Sequence, residues 1–154
     1  MSVPTVHPGQ LLTPRECQVV ELVAEGRSNG AIGAELGLMP LTVKAHLHRI
    51  GIKVGVQDRA GILGRAVLTG QVLVPPVRPV PHGFDKDHFE LLVRIARGMS
   101  NAEIAAEFGV TLDAAKYRVR KLLVLLGVAS REEAVAAGFA CGVLRAVPKQ
   151  RVAS

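Results

Sequence analysis

The segment Ser100–Leu123, SNAEIAAEFGVTLDAAKYRVRKLL, contains two runs of helical periodicity separated by Gly109. The segment Ser28–Gly51, SNGAIGAELGLMPLTVKAHLHRIG, has the same arrangement around Gly37. In both, a serine that can cap a helix precedes the short first run, and a glycine ends that run. The sequence therefore predicts a short helix, a tight turn and a longer helix twice in one chain.

The two segments belong to longer repeats that align without a gap when the sequence is shifted by 72 positions, from Ala24 to Ala96. The residues of the first repeat that are identical under this shift include Gly26, Ser28, Asn29, Ile32, Ala34, Glu35, Gly37, Lys44, Gly55, Val56, Arg59 and Gly70. A gap-free repeat of this length indicates duplication of one fold, because a solenoid needs more copies. We predict a first repeat at 12–70 and a divergent second repeat at 84–143.

The segment between the repeats, QVLVPPVRPVPHG at 71–83, is rich in proline. Proline at this density opposes helix and favours extended backbone, so a semi-rigid linker that acts as a spacer is expected. Residues 1–11 and the basic stretch 144–154 are expected to be loose tails.

Each repeat is predicted to form four helices, so the fold class is all-α, with two tandem four-helix helix-turn-helix domains joined by the Pro-rich linker. The expected helices span 14–25, 28–37, 40–54 and 59–69 in the first repeat, and 85–97, 101–108, 112–126 and 131–142 in the second. Thr13 and Thr111 are expected to cap helices, whereas Met39 cannot. The small Ala34 and Ala106 are expected to let the second and third helices approach closely.

The 154-residue chain has a formal net charge of +6, with 49% hydrophobic and only 3% aromatic residues. This composition excludes a disordered chain, and the charge favours a polyanionic partner, nucleic acid first and a membrane surface second. No apolar run is long enough to cross a bilayer, and no secretory signal is expected. Cys17 and Cys141 lack metal or redox spacing and are expected to be reduced, in the cytoplasm.

No group of residues predicts an enzyme, a metal site, a cofactor or a small-molecule ligand. Asp85, Asp87 and His88 fit no standard metal-ligand spacing and are expected to form a charged helix start. The chain also lacks a local pairing of a nucleophile with a base and a glycine-rich phosphate loop. A binding function is therefore favoured over catalysis.

The third helix of each repeat is predicted to be amphipathic. Its expected core faces are Val43, Leu47, Ile50 and Val54, and Ala115, Val119, Leu122 and Leu126. The opposite faces with their flanks are Lys44, Ala45, His46, His48 and Arg49, and Lys116, Tyr117, Arg118, Arg120 and Lys121. Residues 84–143 hold eight Lys or Arg against eight Asp or Glu, so the repeat is neutral while its third helix is cationic. Such a helix can fit the major groove and contact bases and phosphates.

The first repeat resembles the LuxR-type (GerE/NarL-like) DNA-binding domain. The resemblance is carried by LTPRECQVVELVAEGRSNGAIGAELGL at 12–38, TVKAHLHRI at 42–50 and KVGVQDRA at 53–60. In the second repeat, GMSNAEIAAEFGV at 98–110 and LGVASREEAV at 126–135 carry the resemblance. That family has a four-helix helix-turn-helix fold and regulates transcription in bacteria. Its members usually attach one such domain to a receiver or ligand-binding domain.

The resemblance implies roles by position. Base contacts would fall at Lys44, Ala45 and His48, and at Lys116, Tyr117 and Arg120. Phosphate contacts would fall at Thr42, Arg49 and Lys121, with Arg118 on the flank of the same helix. The fourth helix commonly forms the dimer contact, which implies dimer or inter-copy contacts at Ile62, Leu63, Ala66, Val67, Ala134, Val135, Gly138 and Cys141.

The leading interpretation is a bacterial transcription regulator that binds duplex DNA in the cytoplasm, in association with the nucleoid. It would act as a homodimer or as an intramolecular pseudo-dimer, with RNA polymerase as a candidate partner. One alternative is an architectural or recombination-directing factor of phage or plasmid type, and another is a protein-interaction module with degenerate helix-turn-helix domains. The second repeat is expected to supply most of the DNA-binding energy, because its third helix carries more fixed cations.

Overall fold

The computed structural model describes residues 6–145, and within this range the chain forms helices and turns and no strand. The helices are α1 (Pro14–Ala24), α2 (Asn29–Leu36), α3 (Pro40–Val54), α4 (Arg59–Leu68), α5 (Lys86–Ala96), α6 (Asn101–Phe108), α7 (Leu112–Leu126) and α8 (Arg131–Ala140). The all-α prediction is confirmed for the described residues. None of these helices is long and apolar enough to cross a membrane.

The helices fall into two sets of matching lengths. The first helix set, α1–α4, has lengths of 11, 8, 15 and 10 residues. The second helix set, α5–α8, has the same lengths in the same order. Each helix therefore has a counterpart of equal length in the other set.

Side-chain caps define most helix starts. At α1, the Glu16 N–H donates to Thr13 Oγ1 at 3.2 Å and the Thr13 N–H donates to Glu16 Oε2 at 2.9 Å. At α7, Thr111 Oγ1 accepts the Ala114 N–H at 3.1 Å. The start of α3 differs, because Met39 has no side-chain acceptor. The predicted caps, and the predicted absence of one at α3, are confirmed.

The third helix of each set turns its predicted apolar face inward. The buried members of these faces are Val43, Ile50, Ala115, Val119, Leu122 and Leu126. Leu47 and Val54 are half-buried and pack against the same core. The opposite face of each of these helices is thereby left toward solvent.

The small residues that are buried in the second helix of each set, α2 and α6, are not the two alanines predicted to allow close approach to the third helix. Ala34 and Ala106 are exposed. Instead, Gly33 is buried so close to the Leu38 carbonyl that a Cβ would overlap it, and Ala105 is buried in α6. One position along a helix turns the side chain by about 100°, which is enough to exchange a buried for an exposed position.

An arginine ties the fourth helix of each set to the start of the second. Arg59 Nη1 donates to Asn29 Oδ1 at 2.6 Å, and Arg59 Nη2 donates to the Arg27 carbonyl. Arg131 Nη1 donates to Asn101 Oδ1 at 2.7 Å, and Arg131 Nη2 donates to the Met99 carbonyl. These residues correspond under the 72-residue shift, so the two sets share a tertiary contact as well as helix lengths.

The two helix sets pack against each other, with α4 against α8 and α5, and α1 against α8. A Cβ at Gly61 would lie only 2.6 Å from the Gly98 Cα, and one at Gly64 would overlap the Ala96 carbonyl. Gly98 has a φ of +82°, which glycine adopts without steric cost. Glycines on α4 and at the end of α5 therefore allow the two backbones to approach closely.

The segment 71–83 has no helix or strand, but it does not hold the helix sets apart. Val72 is 2% exposed within the apolar core. The Arg78 N–H donates to the Ala140 carbonyl at 3.0 Å, and its Nη2 donates to the Leu126 carbonyl at 3.0 Å. The expectation of a spacer is wrong, because the segment contributes apolar surface to the core and hydrogen-bonds to the second helix set.

The described parts of the predicted tails are held to the helix sets at single points, although residues 7–11 are exposed. The Gly9 N–H donates to the Lys53 carbonyl at 2.9 Å, and Leu144 is buried beside Gly138. The expectation of loose tails is therefore wrong for these positions. Residues 1–5 and 146–154, which include most of the predicted basic tail, lie outside the described residues.

Candidate nucleic-acid interface

Two helix faces carry the residues predicted to bind DNA. The first outer face consists of Lys44, Ala45, His48 and Arg49 on α3, and the second outer face of Lys116, Tyr117, Arg120 and Lys121 on α7. Arg49 is half-buried, and the other seven residues are exposed, as are Thr42 and Arg118. Each face lies opposite the buried stripe of its own helix, so it is accessible along its length.

The cations of α7 are open to solvent. Within residues 6–145, none of the Lys and Arg side chains at 116–121 takes part in an ion pair. Lys121 Nζ lies 5.2 Å from the centre of the Tyr117 ring, and Arg118 Cζ lies 5.9 Å from that of Phe108. These contacts restrain the side chains while leaving their charges available to an anion.

The first outer face has fewer fixed charges but a more open helix start. Lys44 and Arg49 are its cations, and neither forms an ion pair with a described residue. Because Met39 provides no cap, the first N–H groups of α3 have no side-chain acceptor. The positive end of the helix dipole lies there, beside the exposed Thr42, and favours an anionic group.

An acidic cluster lies next to the second outer face. Asp85, Asp87 and Glu90 line the same cleft as Arg118 and Lys121. The corresponding positions of the first helix set hold Thr13, Arg15 and Gln18. The carboxylates disfavour a phosphate at this edge of α7. The charged helix start is predictable from the sequence, but its proximity to α7 is not, because that proximity depends on how α5 packs.

Two members of this region cap α5. The His88 N–H donates to Asp85 Oδ1 at 3.1 Å, and the Asp85 N–H donates to His88 Nδ1 at 3.2 Å. The hydrogen bond from the His88 backbone is the main reason why the pKa of Asp85 lies below its ordinary value. Within residues 6–145, no group of three His, Cys, Asp or Glu side chains is arranged so that it could hold a metal ion. These two residues therefore have a structural role at the helix start.

The residues predicted to form a dimer or inter-copy contact lie on α4 and α8, or directly after α8 in the case of Cys141, and the two helices pack together within the chain. Those that are buried are Ile62, Leu63, Ala66, Val67, Ala134, Val135 and Gly138. Cys141 is half-buried, and its Sγ donates to the Pro79 carbonyl at 3.3 Å. Cys17 Sγ donates in the same way to the Gln71 carbonyl at 3.6 Å, and burial raises the pKa of the Cys17 thiol.

Residues 10–66 match the GerE family, described as "Bacterial regulatory proteins, luxR family". The match contains α1–α3, most of α4 and the first outer face. One LuxR-type helix-turn-helix domain is therefore present at 10–66, as the resemblance predicted. The match does not extend to the second helix set.

Proteins named as transcriptional regulators are similar to this chain over stretches of 52 to 67 residues. The chain is 44% identical to the probable transcriptional regulatory protein NarL of Mycobacterium tuberculosis over 57 residues, 37% of this chain and 26% of that protein. It is 39% identical to DegU of Brevibacillus brevis over 67 residues, 44% of this chain and 28% of that protein. LiaR of Bacillus subtilis is 44% identical over 52 residues, 34% of this chain and 25% of that protein. The chain thus spans about a quarter of the length of these relatives. No solved structure matches it.

Proposed function

We propose that this protein is a sequence-specific duplex-DNA-binding regulator of bacterial transcription. The observation that carries the proposal is the luxR-family match over residues 10–66, together with the exposed Lys44 and His48 on α3 of that domain. An α-helix fits the major groove, where such side chains contact base edges and phosphates. The similar proteins NarL, DegU and LiaR are all named as transcriptional regulatory proteins.

We also propose that α5–α8 are a divergent copy of the same domain, so that two helix-turn-helix domains at 12–70 and 84–143 are connected by the Pro-rich segment 71–83, which packs against them. Equal helix lengths support this, as does the Arg131–Asn101 hydrogen bond that corresponds to the one between Arg59 and Asn29. On this proposal both α3 and α7 contact DNA, through the first and second outer faces.

The proposed working unit is a single chain whose α4–α8 contact replaces the contact between two subunits. The fourth-helix residues that a homodimer would use are already buried, with Leu63 and Val135 fully inaccessible. A twofold contact of this kind is self-complementary, so occupying it within the chain leaves little surface for a second copy. The proposed location is the cytoplasm, at the nucleoid, with RNA polymerase as a candidate partner at promoters.

A second candidate function concerns the second helix set alone. The cluster of Asp85, Asp87 and Glu90 beside Arg118 and Lys121 gives this region carboxylates where the first helix set has none. If these charges prevent α7 from approaching phosphates, α5–α8 would serve as a protein-interaction module attached to one DNA-binding domain. Binding would then depend on α3 only.

Binding to a duplex selected from random DNA tests the proposal, with fluorescence anisotropy measured at several salt concentrations. Log K is expected to fall linearly with log salt, by about 0.9 for each phosphate neutralised. Lys44→Ala with His48→Ala should weaken binding. Arg97→Ala, which removes an exposed cation at the end of α5, should not.

The outcomes separate the alternatives. If the intact chain binds no duplex more tightly than random DNA, the proposed function is wrong. If Lys116→Ala with Arg120→Ala leaves affinity and salt dependence unchanged, the interaction-module function of α5–α8 is favoured.

A further inference from the structure

The contacts between the helix sets have the pattern of an approximate twofold axis. α4 packs against α8, and the contact of α1 with α8 is matched by that of α5 with α4. At residue level, Gly98 meets Gly61 on α4, while Gly26 meets Glu133 on α8. A shift of 72 positions converts Gly26 into Gly98 and Gly61 into Glu133, so the two contacts exchange. Reciprocal contacts of this kind define a twofold interface.

This axis relates α3 to α7, because these helices correspond in length and position within their sets. The backbones of α3 and α7 are therefore equivalent. If both helices contact one surface, such as a DNA duplex, they run along it in opposite directions. The relation is built into one chain, so the two faces were free to acquire different side chains.

The side chains of the two outer faces differ at most positions. The corresponding pairs are Lys44 and Lys116, Ala45 and Tyr117, His48 and Arg120, and Arg49 and Lys121. A guanidinium can bind guanine through two hydrogen bonds, a geometry that imidazole cannot reproduce. Alanine and an aromatic ring can both contact a thymine methyl group, but the ring reaches further from the helix and excludes base steps that alanine accommodates. The two faces therefore favour different base sequences.

We infer, on the basis of the proposed function, that one chain binds a non-palindromic DNA site made of two unlike half-sites in inverted orientation. In helix-turn-helix dimers the symmetry of the operator mirrors that of the protein, and half-sites lie about 34–36 Å apart or at multiples of this spacing. Here the symmetry of the backbone requires the two half-sites to be inverted. Because the side chains of the two outer faces differ, the half-sites differ in base sequence. The α4–α8 contact fills the axis, so one chain occupies one site.

The test starts with selection of bound duplexes from random DNA by the intact chain. Three probes are then titrated: the selected site and the two palindromes made by duplicating either half-site. The selected site should bind best and each palindrome about tenfold or more weakly, since a mismatched half-site loses base contacts. Native mass spectrometry should give one chain per duplex.

A matched variant assigns the asymmetry to the outer faces. Tyr117→Ala, Arg118→His, Arg120→His and Lys121→Arg together give α7 the side chains of α3 at these four exposed positions. The variant should retain its helical circular dichroism and melting temperature. Its preference should move from the selected site to the palindrome of the half-site that α3 contacts.

Several results would overturn the inference. A selected site that is a palindrome or a direct repeat, or two chains per duplex, would contradict it while leaving DNA binding intact. The same holds if the variant still prefers the original site. Failure of the intact chain to prefer any duplex over random DNA would overturn both the inference and the proposed function.

Discussion

Lys53 Nζ lies 2.7 Å from Glu16 Oε2 in the interior of the first helix set, where the two residues are only 8% and 4% exposed. Glu16 also accepts the Thr13 N–H, so one carboxylate serves both the α1 cap and the charge on α3. The second helix set has His88 and Leu125 at these positions. The ion pair is therefore a property of the first domain, and each charge depends on the other for compensation.

Lys53→Leu is expected to destabilise the chain by about 3–5 kcal/mol, because it leaves the Glu16 carboxylate buried without a partner. Glu16→Gln combined with Lys53→Leu should recover part of this loss, because the neutral amide oxygen can still accept the Thr13 N–H. Urea unfolding followed by circular dichroism measures both. A double variant as unstable as Lys53→Leu would contradict the role assigned to the ion pair.

The packing of the helix sets predicts opposite effects for two helical glycines. Gly64→Ala should destabilise by about 1–3 kcal/mol, because the new Cβ would overlap the Ala96 carbonyl. Gly30→Ala is the matched control, since its nearest neighbour is Ser28 Oγ at 3.9 Å. It should stabilise by up to about 1 kcal/mol through helix propensity. Equal changes in melting temperature would show that α4 and α5 do not require the close approach.

The helices were predictable from local signals. Pro40 and Gly55 bracket α3, and the capping Thr111 precedes α7, so both helices begin and end where the sequence indicates. The role of Gly51 was not predictable, because as a sequence feature it only weakens a helix. In the structure a Cβ there would lie 2.7 Å from the Val56 carbonyl, so glycine allows the turn after α3 to fold back.

Contacts between distant segments limited the prediction of the site. The cationic face of α7 follows from helical periodicity, because it involves one helix. The carboxylates of Asp87 and Glu90 beside that face come from α5, and their sequence alone does not show that they approach α7. Burial of Val72 likewise depends on the packing of both helix sets, which proline content does not report.

Asp87→Asn with Glu90→Gln is expected to raise DNA affinity, because it removes two negative charges next to Arg118 and Lys121. The gain should be about 1.5- to 5-fold, the range of exposed charge interactions, and should shrink as salt rises. Asp85 is left in place because it caps α5. Glu132→Gln on α8 is the control. Anisotropy titrations that give no gain at low salt would show that phosphates do not approach this edge.

The cap at α5 predicts a pH dependence of stability. The hydrogen bond from His88 N–H lowers the pKa of Asp85 in the folded chain, so the cap stabilises above the pKa of the unfolded residue. Its contribution is lost as pH falls through the lower, folded value. The difference in melting temperature between the intact chain and Asp85→Asn should therefore shrink as pH falls below about pH 4. A difference that persists at low pH would contradict capping by the carboxylate.

The second outer face is expected to contribute more DNA-binding free energy than the first. Four fixed cations lie at 116–121, whereas Lys44 and Arg49 are the fixed cations at the corresponding positions of α3. Each additional phosphate neutralised steepens the dependence of log K on log salt by about 0.9. The acidic cluster beside α7 reduces this advantage without cancelling it, because the exposed carboxylates of Asp85 and Asp87 are screened by solvent and salt.

Two double variants measure this difference on one selected site. Lys116→Ala with Arg120→Ala should cost more affinity, and flatten the salt dependence more, than Lys44→Ala with His48→Ala. The first pair removes two positive charges. One of them is the guanidinium of Arg120, which can form two hydrogen bonds with guanine and so discriminate against other bases by about 1–3 kcal/mol. The second pair removes one fixed charge and an imidazole. Anisotropy titrations at pH 7.5 and several salt concentrations compare the two double variants. An equal or larger loss of affinity from the α3 pair would mean that backbone contacts at the uncapped start of α3 outweigh the additional cations of α7.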